Sequence, residues 1–336
     1  MNNFFKLIAI SVLTCCFFLC SCSAVPKQET KSFFAMDTYI TITAYGENCS
    51  EAVEESRQII TELENKWSVT NENSEIYKIN SSTGTVKISD ETAELISFAR
   101  NISLKTDGAL DLTVYPIMKL WGFTGDEYRV PEKEEISKAL KYVGNNRIAI
   151  SGNEITLKSG TMLDLGAVAK GYASDKISDR MKSLGIDSAL INLGGNIMLV
   201  GANPDGNDWA IGLKDPSGEG NLGIISASDC SIVTSGNYER YFTAEGKKYG
   251  HIINPDSGYP VDNDLLSVTI ISESSTLGDA LSTALFVKGF DGAVSYYKEN
   301  KNDFEMILAA KSGEIYITPG VSFKTETDEI TVNIID

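Results

Sequence analysis

The chain is poor in histidine, in positive charge, and in cysteine outside one short stretch. Among 336 residues His251 is the single histidine, and 29 Lys and Arg stand against 46 Asp and Glu, a formal net charge of −17. The deficit of cations excludes nucleic acid as a partner, because a phosphate backbone is held by a basic surface. It also sets a problem for any anionic small ligand, which such a chain would have to hold through a divalent cation. With one histidine, a general base at neutral pH is either His251 or a carboxylate, Cys or Lys displaced from its usual pKa. Cys15, Cys16, Cys20 and Cys22 cluster near the start, leaving only Cys49 and Cys230 beyond them. Two cysteines do not make a disulfide scaffold, and pairing and burial as free thiols both stay open. No apolar run after the first stretch is long enough to span a bilayer. Hydrophobic residues at 42% and charged residues at 22% nevertheless describe a globular chain rather than a disordered one.

The first stretch reads as a targeting segment. Lys6 supplies a thin positive region and Leu7 to Leu19 an apolar one, ending in Leu19-Cys20-Ser21-Cys22. A Leu three residues before a Cys, with a small residue just before it, matches a bacterial lipobox. The expected organisation is a signal peptide over residues 1–21, acylation of Cys22, a polar tether over 22–32 containing Pro26, and one folded domain over 33–336. That places the protein on the outer side of a bacterial cell membrane, held by lipid. An ordinary secretory signal or an uncleaved anchor is the competing reading.

Beyond the tether, Thr38 to Tyr45 alternates as a strand does, and Glu51 to Lys66 carries apolar residues at helical spacing. Asp90 reads as the N-cap of a second helix, Pro131 to Val143 as a third, and Asn146 to Leu157 as a hairpin. In the second half, helices are expected over Ala173 to Leu184 and Thr276 to Val287. Strands are expected at 188–192, 209–214, 223–228, 231–234, 266–272, 304–310, 314–318 and 329–335. Strands and helices mix without strict βαβ alternation, so the expected class is α+β, with mainly antiparallel sheets and packed helices in a single compact domain.

Several short segments carry possible chemistry. His251 lies in Tyr-Gly-His-Ile-Ile-Asn-Pro, followed by Ser257-Gly258-Tyr259-Pro260, turns that would fix its backbone. Asp279 and Thr283, four residues apart with Ser282 beside them, present hard oxygens on one side of a helix. That set suits Mg²⁺, and it equally suits the solvated face of an amphipathic helix. Asp164-Leu165-Gly166-Ala167-Val168-Ala169-Lys170-Gly171 puts an acid and a lysine around small residues that let a ligand approach the backbone. It is not a Walker A loop, and a tightly packed helix start is its plain alternative. Gly108 to Thr113, leading to Leu120-Trp121-Gly122-Phe123, sets an acid before an aromatic turn that would line a pocket for a flat ring, or simply belong to the core. Asn192 to Asn196 and Ser235 to Arg240 are Gly turns with polar ends.

Taken in order, these segments, together with Met36-Asp37-Thr38 and Glu64 to Ser68, resemble the FAD:protein FMN transferase family, the ApbE-like lipoproteins. The Asp-Leu-Gly-Ala-Val-Ala-Lys-Gly and Asp-Ala-Leu-Ser-Thr motifs are the specific ones. The resemblance implies one FAD in a cleft with Mg²⁺ at its pyrophosphate. It implies metal ligation by the Ala167 carbonyl, Asp279 and Thr283, with Ser282 as a further ligand. It implies FAD contacts from Met36, Ala109, Leu110, Asp111, Asp164, Lys170 and Ile253, just after His251. Asp37 stands where many members have Gly, Leu110 where Phe is common, and Asn254 where Asp is common.

The implied chemistry is attack by a Thr or Ser hydroxyl of an acceptor protein on the FMN phosphorus of FAD, with AMP leaving. Asp279 would act through the metal, and His251 or a nearby carboxylate would take the proton. Implied acceptors are flavoproteins of membrane redox complexes or exported FMN-binding domains. Two other readings compete: a Mg²⁺-dependent FAD pyrophosphatase, which would release AMP without an acceptor, and a non-catalytic flavin-binding lipoprotein, which would have no turnover to lose.

Overall fold

The computed structural model describes residues 27–125, 127–327 and 330–336. The expected signal peptide and the lipidation site at Cys22 lie outside the described residues. Among those described, no helix is long and apolar enough to cross a membrane.

The first element corrects the sequence reading. Residues 28–32, expected as tether, belong to strand β1 (Gln28–Ala35), which pairs antiparallel along its length with β2 (Thr38–Tyr45). β1 escaped notice because its alternation is carried by polar residues. Its outward face meets water, and inward Lys31 reaches Glu54 at 2.5 Å. In β2 the inward residues Ile40, Ile42 and Ala44 are fully buried, as the alternation requires.

Helix α1 (Cys49–Trp67) buries Ala52, Val53, Ile60 and Leu63. Short α2 (Glu75–Ser81) and β3 (Val86–Lys87) lead to α3 (Asp90–Lys105). The cap of α3 is Ser89, whose hydroxyl accepts from the Thr92 N–H; Asp90 is the first helical residue instead. Pro116 sits in the first turn of α4 (Tyr115–Trp121), which ends on left-handed Gly122. The third expected helix is shorter than its pattern. α5 spans Lys133–Ala139, because Glu132 and Glu135 close a capping box and the chain tightens to a 3-10 turn at Leu140–Tyr142. β4 (Ile148–Ser151) and β5 (Glu154–Leu157) form the expected hairpin and join β3 in a small sheet.

Helix α6 (Ala169–Ser183) starts earlier than expected and is followed by β6 (Ser188–Leu193) and β7 (Asn196–Val200), joined at Gly194-Gly195. Then come β8 (Trp209–Lys214), β9 (Asn221–Ala227), β10 (Ser231–Gly236), the hairpin β11 (Tyr241–Ala244) and β12 (Lys247–Gly250), and β13 (Leu265–Ser272). α7 (Ser275–Glu299) is two helices meeting at a kink at non-helical Gly289 (φ 71°), where glycine has no Cβ to clash, so the first ends close to the expected Val287. β14 (Glu305–Ala310), β15 (Ile315–Ile317), β16 (Phe323–Thr325) and β17 (Val332–Ile334) close the chain.

Nine strands form one sheet in the order β1-β2-β6-β7-β10-β13-β14-β15-β17, with β15–β17 its parallel pair. The class is therefore α+β with mainly antiparallel pairing. Helices α1, α6 and α7 pack on one face. The three-stranded sheet β16-β9-β8 covers part of the other through Leu199, Ile211, Leu213, Ile225 and Ile232.

The contact that positions the site is the meeting of α6 and α7. Asp175 of α6 accepts from the N–H groups of Ser275 (2.7 Å) and Thr276 (2.9 Å) and from the hydroxyls of Ser274 (2.9 Å) and Thr276 (2.6 Å), capping α7. In return, Asp279 of α7 accepts from the Gly171 N–H of α6 at 2.8 Å. A methyl group at Gly171 would lie 2.7 Å from the Ser275 carbonyl carbon and from Thr276 Cα. Backbone cannot move aside as a side-chain tip can, so Gly171→Ala should destabilise the fold by about 1–3 kcal/mol or more. Urea unfolding checks this; a midpoint equal to wild type would show that the helices have room to spare.

Candidate active site

One cavity of about 720 Å³ gathers Met36, Ala109, Leu110, Asp111, Asp164, Ala167, Lys170, His251, Ile253, Asp279 and Thr283 in its wall. That size falls within the usual range for a cofactor-sized ligand. These residues come from five separated stretches of chain, so the fold joins what the sequence scatters. Ser282 departs from expectation. It is fully buried and outside the wall, its hydroxyl bonded to the Asp279 carbonyl (3.0 Å) and to Ser235 Oγ (2.8 Å).

The rim begins at the turn between β1 and β2. Ala35 pairs with Thr38, so Met36 and Asp37 are a two-residue loop, and both have positive φ, 49° and 59°. Such a loop favours Gly or Asn at these positions, which explains why a Gly would be at home where Asp37 stands. Left-handed backbone costs a residue with a Cβ about 1–2 kcal/mol. The Met36 N–H is fastened to Glu64 Oε1 of α1 at 2.7 Å. Across the mouth, Arg240 lies 3.6 Å from the Asp37 carboxylate.

The wall on the α6 side is built by local turns. The Asp164 N–H donates to the Leu112 carbonyl at 2.9 Å, and its Oδ1 accepts from the Gly166 N–H at 2.6 Å. Lys170 Nζ reaches the Gly166 carbonyl at 3.3 Å. Asp111 Oδ1 accepts from the Thr113 N–H (2.7 Å) and hydroxyl (2.5 Å), which holds the Ala109–Asp111 segment against the cavity. Burial raises the carboxyls of Asp111, Asp164 and Asp279 above the ordinary range. The charge of Lys170 opposes that rise at Asp164 and Asp279.

His251 Nδ1 lies 3.2 Å from the Arg240 carbonyl. A carbonyl only accepts, so Nδ1 carries the proton and Nε2 is left with its lone pair. Burial, with Lys170 and then Arg240 nearby, lowers this imidazole to about 4. It is therefore neutral, and competent to accept a proton, across the neutral range. Leu110 is buried at the inner wall. Asn254 turns its carboxamide back on the N–H groups of Asp256 (2.9 Å) and Ser257 (3.1 Å), shaping the loop after His251. Cys49 and Cys230 are both free thiols.

Residues the sequence reading named only as parts of matching segments, or not at all, also line the cavity: Glu64, Trp67, Phe123, Asn196, Ser235, Glu239 and Arg240. Six carboxylates (Asp37, Glu64, Asp111, Asp164, Glu239, Asp279) thus face two cations, Lys170 and Arg240, among the described residues of the wall. A polyanion cannot settle there on these side chains alone.

A Mg²⁺ ion fits the donors present. In a regular helix start the Gly171 N–H would bond back to the Ala167 carbonyl, but it is spent on Asp279 instead. No backbone N–H among the described residues donates to Ala167. A free carbonyl, one buried carboxylate and the Thr283 hydroxyl, 3.3 Å from Ser235 Oγ, are all hard oxygens. The described residues hold no group of three or more His, Cys, Asp or Glu arranged for a metal. A sparse oxygen set is what Mg²⁺ uses when substrate phosphates and waters complete its shell.

The fold and this site define a class of single-domain α+β enzymes with a metal-suited, acid-lined ligand cleft. The profile of the ApbE family matches residues 36–308, and the chain belongs to that family. It is 35% identical to a protein named FAD:protein FMN transferase from Klebsiella pneumoniae over 78% of this chain and 83% of that one. It is 32% identical to one of the same name from Haemophilus influenzae, over 86% and 87% of the two chains. The crystal structure of the ApbE protein of Thermotoga maritima superposes with a TM-score of 0.81 at 34% identity, over 86% of this chain and 96% of that one.

The single histidine makes its environment directly readable. Unfolded, it titrates near 6.5; folded, it should titrate near pH 4 by NMR. The unfolded chain then binds more protons between these values, so this contribution to stability is complete above about pH 6.5 and is lost as pH falls towards 4. His251→Gln should flatten that part of the acid stability profile, by at most about 3 kcal/mol. A native imidazole titrating close to its free value would count against a buried neutral ring.

Proposed function

We propose that this chain transfers FMN from FAD to a Thr or Ser hydroxyl of an acceptor protein, releasing AMP. The observation that carries the reading is the convergence in one cavity of a free carbonyl, Asp279, Thr283, Lys170 and a neutral His251. Family membership and the names of the relatives support FAD as the substrate.

In this reading the acceptor oxygen attacks the FMN phosphorus and the bridging P–O bond breaks, its electron pair leaving with AMP. His251 Nε2 receives the hydroxyl proton. Ala167, Asp279 and Thr283 would hold Mg²⁺, which would supply positive charge to the pyrophosphate and the leaving group. Lys170 adds a second positive charge beside the same oxygens. Met36, Ala109–Asp111 and Ile253 wall the flavin, and Asp164 fixes the turn that carries Lys170. Without the metal the six wall carboxylates would repel the substrate, so the acidity of the chain becomes a requirement for Mg²⁺.

The proposal extends to location. Cys22 bears the lipid and the chain is exported. With β1 beginning at Gln28, the five residues between span at most about 18 Å. The domain then stays close to the membrane, within reach of flavoproteins of membrane redox complexes and exported FMN-binding domains.

Purified chain incubated with FAD, Mg²⁺ and such an acceptor should add the mass of FMN to the acceptor. Asp279→Ala should cut the transfer rate by roughly 10²–10³-fold. AMP release at the same rate with and without acceptor would make the enzyme a pyrophosphatase instead. No turnover in any divalent metal would leave only a flavin binder.

A further inference from the structure

Asn196 has no part in the chemistry above, yet it is the most buried polar residue in the cavity wall among the described residues. It opens β7 directly after Gly194-Gly195, is 1% exposed, and lines the same cavity as Asp279. Its Oδ1 accepts from Ser174 Oγ of α6 and from Ser275 Oγ of α7, each at 2.8 Å. One hydroxyl from each helix therefore pins the oxygen and turns the amide nitrogen the other way.

That nitrogen has no hydrogen-bond partner among the described residues. It stands close enough to the Asp279 carboxylate to draw it towards its charged form, but short of good hydrogen-bond geometry. The opposite amide orientation would set oxygen against a carboxylate, so charge fixes which end points where. An unpaired buried N–H costs about 1–3 kcal/mol, a cost that a partner in the working state of the site would remove. Asp279 Oδ2 already accepts from the Gly171 N–H. A second donor from the β7 side would immobilise the carboxylate between a strand and a helix start.

We infer that Asn196 is a positioning residue for the divalent-metal site. Its side-chain N–H donates to Asp279 when the carboxylate binds metal, holding the remaining lone pairs towards Ala167 and Thr283. The inference rests on the metal reading proposed above. Ligating carboxylates are held by such partners, and losing one typically weakens metal binding roughly 10–100-fold.

The test needs no substrate. Mn²⁺ is titrated into the full chain in detergent without FAD, followed by electron paramagnetic resonance, for wild type and Asn196→Ala, with thermal melts alongside. The Mn²⁺ Kd should rise roughly 10–100-fold at a temperature where both proteins are folded. An Asn196 that merely ties Ser174 to Ser275 would lower the melting temperature and leave the Mn²⁺ Kd within about twofold, which would overturn the inference. Should Asn196→Ala not fold, Asn196→Ser, which keeps a hydroxyl but falls short of Asp279, carries the same expectation and the same threshold. Wild-type protein that binds no Mn²⁺ or Mg²⁺ would remove the metal reading itself, a result distinct from equal binding by both.

Discussion

The reciprocal exchange of carboxylates between α6 and α7 is the contact on which the rest of the site depends. Asp175 takes the first-turn donors of α7, and Asp279 takes one amide from the start of α6. Two helix N-termini, each carrying partial positive charge, are thereby brought side by side without repelling. Gly171 is the residue that lets them approach, since the backbone of Ser275 and Thr276 occupies the space of a side chain. The exchange also decides what the helix ends are for. The first-turn N–H groups of α7 are consumed by Asp175 and Ser274, so that terminus is no anion site. At α6 the diverted Gly171 amide leaves the Ala167 carbonyl unspent. One hydrogen bond thus both seats the carboxylate and frees the carbonyl of the proposed metal site.

Electrostatics follow from this geometry. A wall with six carboxylates and two cations favours a divalent ion over a phosphate, so in the proposed function metal and anionic ligand are coupled in binding. Burial holds the Asp279 carboxyl towards its neutral form, and Lys170 with the Gly171 amide pulls the other way. The balance favours the charged form once a cation arrives. His251 answers to the same lysine with the opposite consequence, since a nearby positive charge keeps the imidazole unprotonated. Lys170 therefore serves both sides of the cavity: it steadies the acids and keeps the imidazole neutral.

Much of this was legible in the sequence, and the parts that were not share a cause. The wall residues stood in short ordered segments, and the cavity holds nearly all of them. Ser282 was misplaced because helical spacing gives a face but not its direction. One residue of rotation separates Thr283 in the cavity wall from a core hydroxyl bonded to its own helix. Asn196 and Arg240 carried no spacing signal, because each acts across the fold on a partner far away in sequence. β1 was read as tether since its alternation is polar, and hydrophobic patterning is silent where one face of an edge strand meets water. The chain beyond the expected Val287 continues as a second helix, set off by non-helical Gly289, which buries Ala293, Tyr296 and Tyr297.

The rim shows the same logic in the opposite sense. Met36 and Asp37 occupy backbone that suits glycine, and the strain is held by a strand pair on one side and by Glu64 on the other. A relaxed turn would let the Met36 side chain wander from the cavity it lines. A fastened one fixes the outer wall to the same frame as the floor, since α1 packs on both the β1–β2 pair and α6. Strain at the mouth and the shared carboxylates at the base are therefore two ends of one rigid construction. Within it, a flat ligand and its phosphates meet groups that do not have to move.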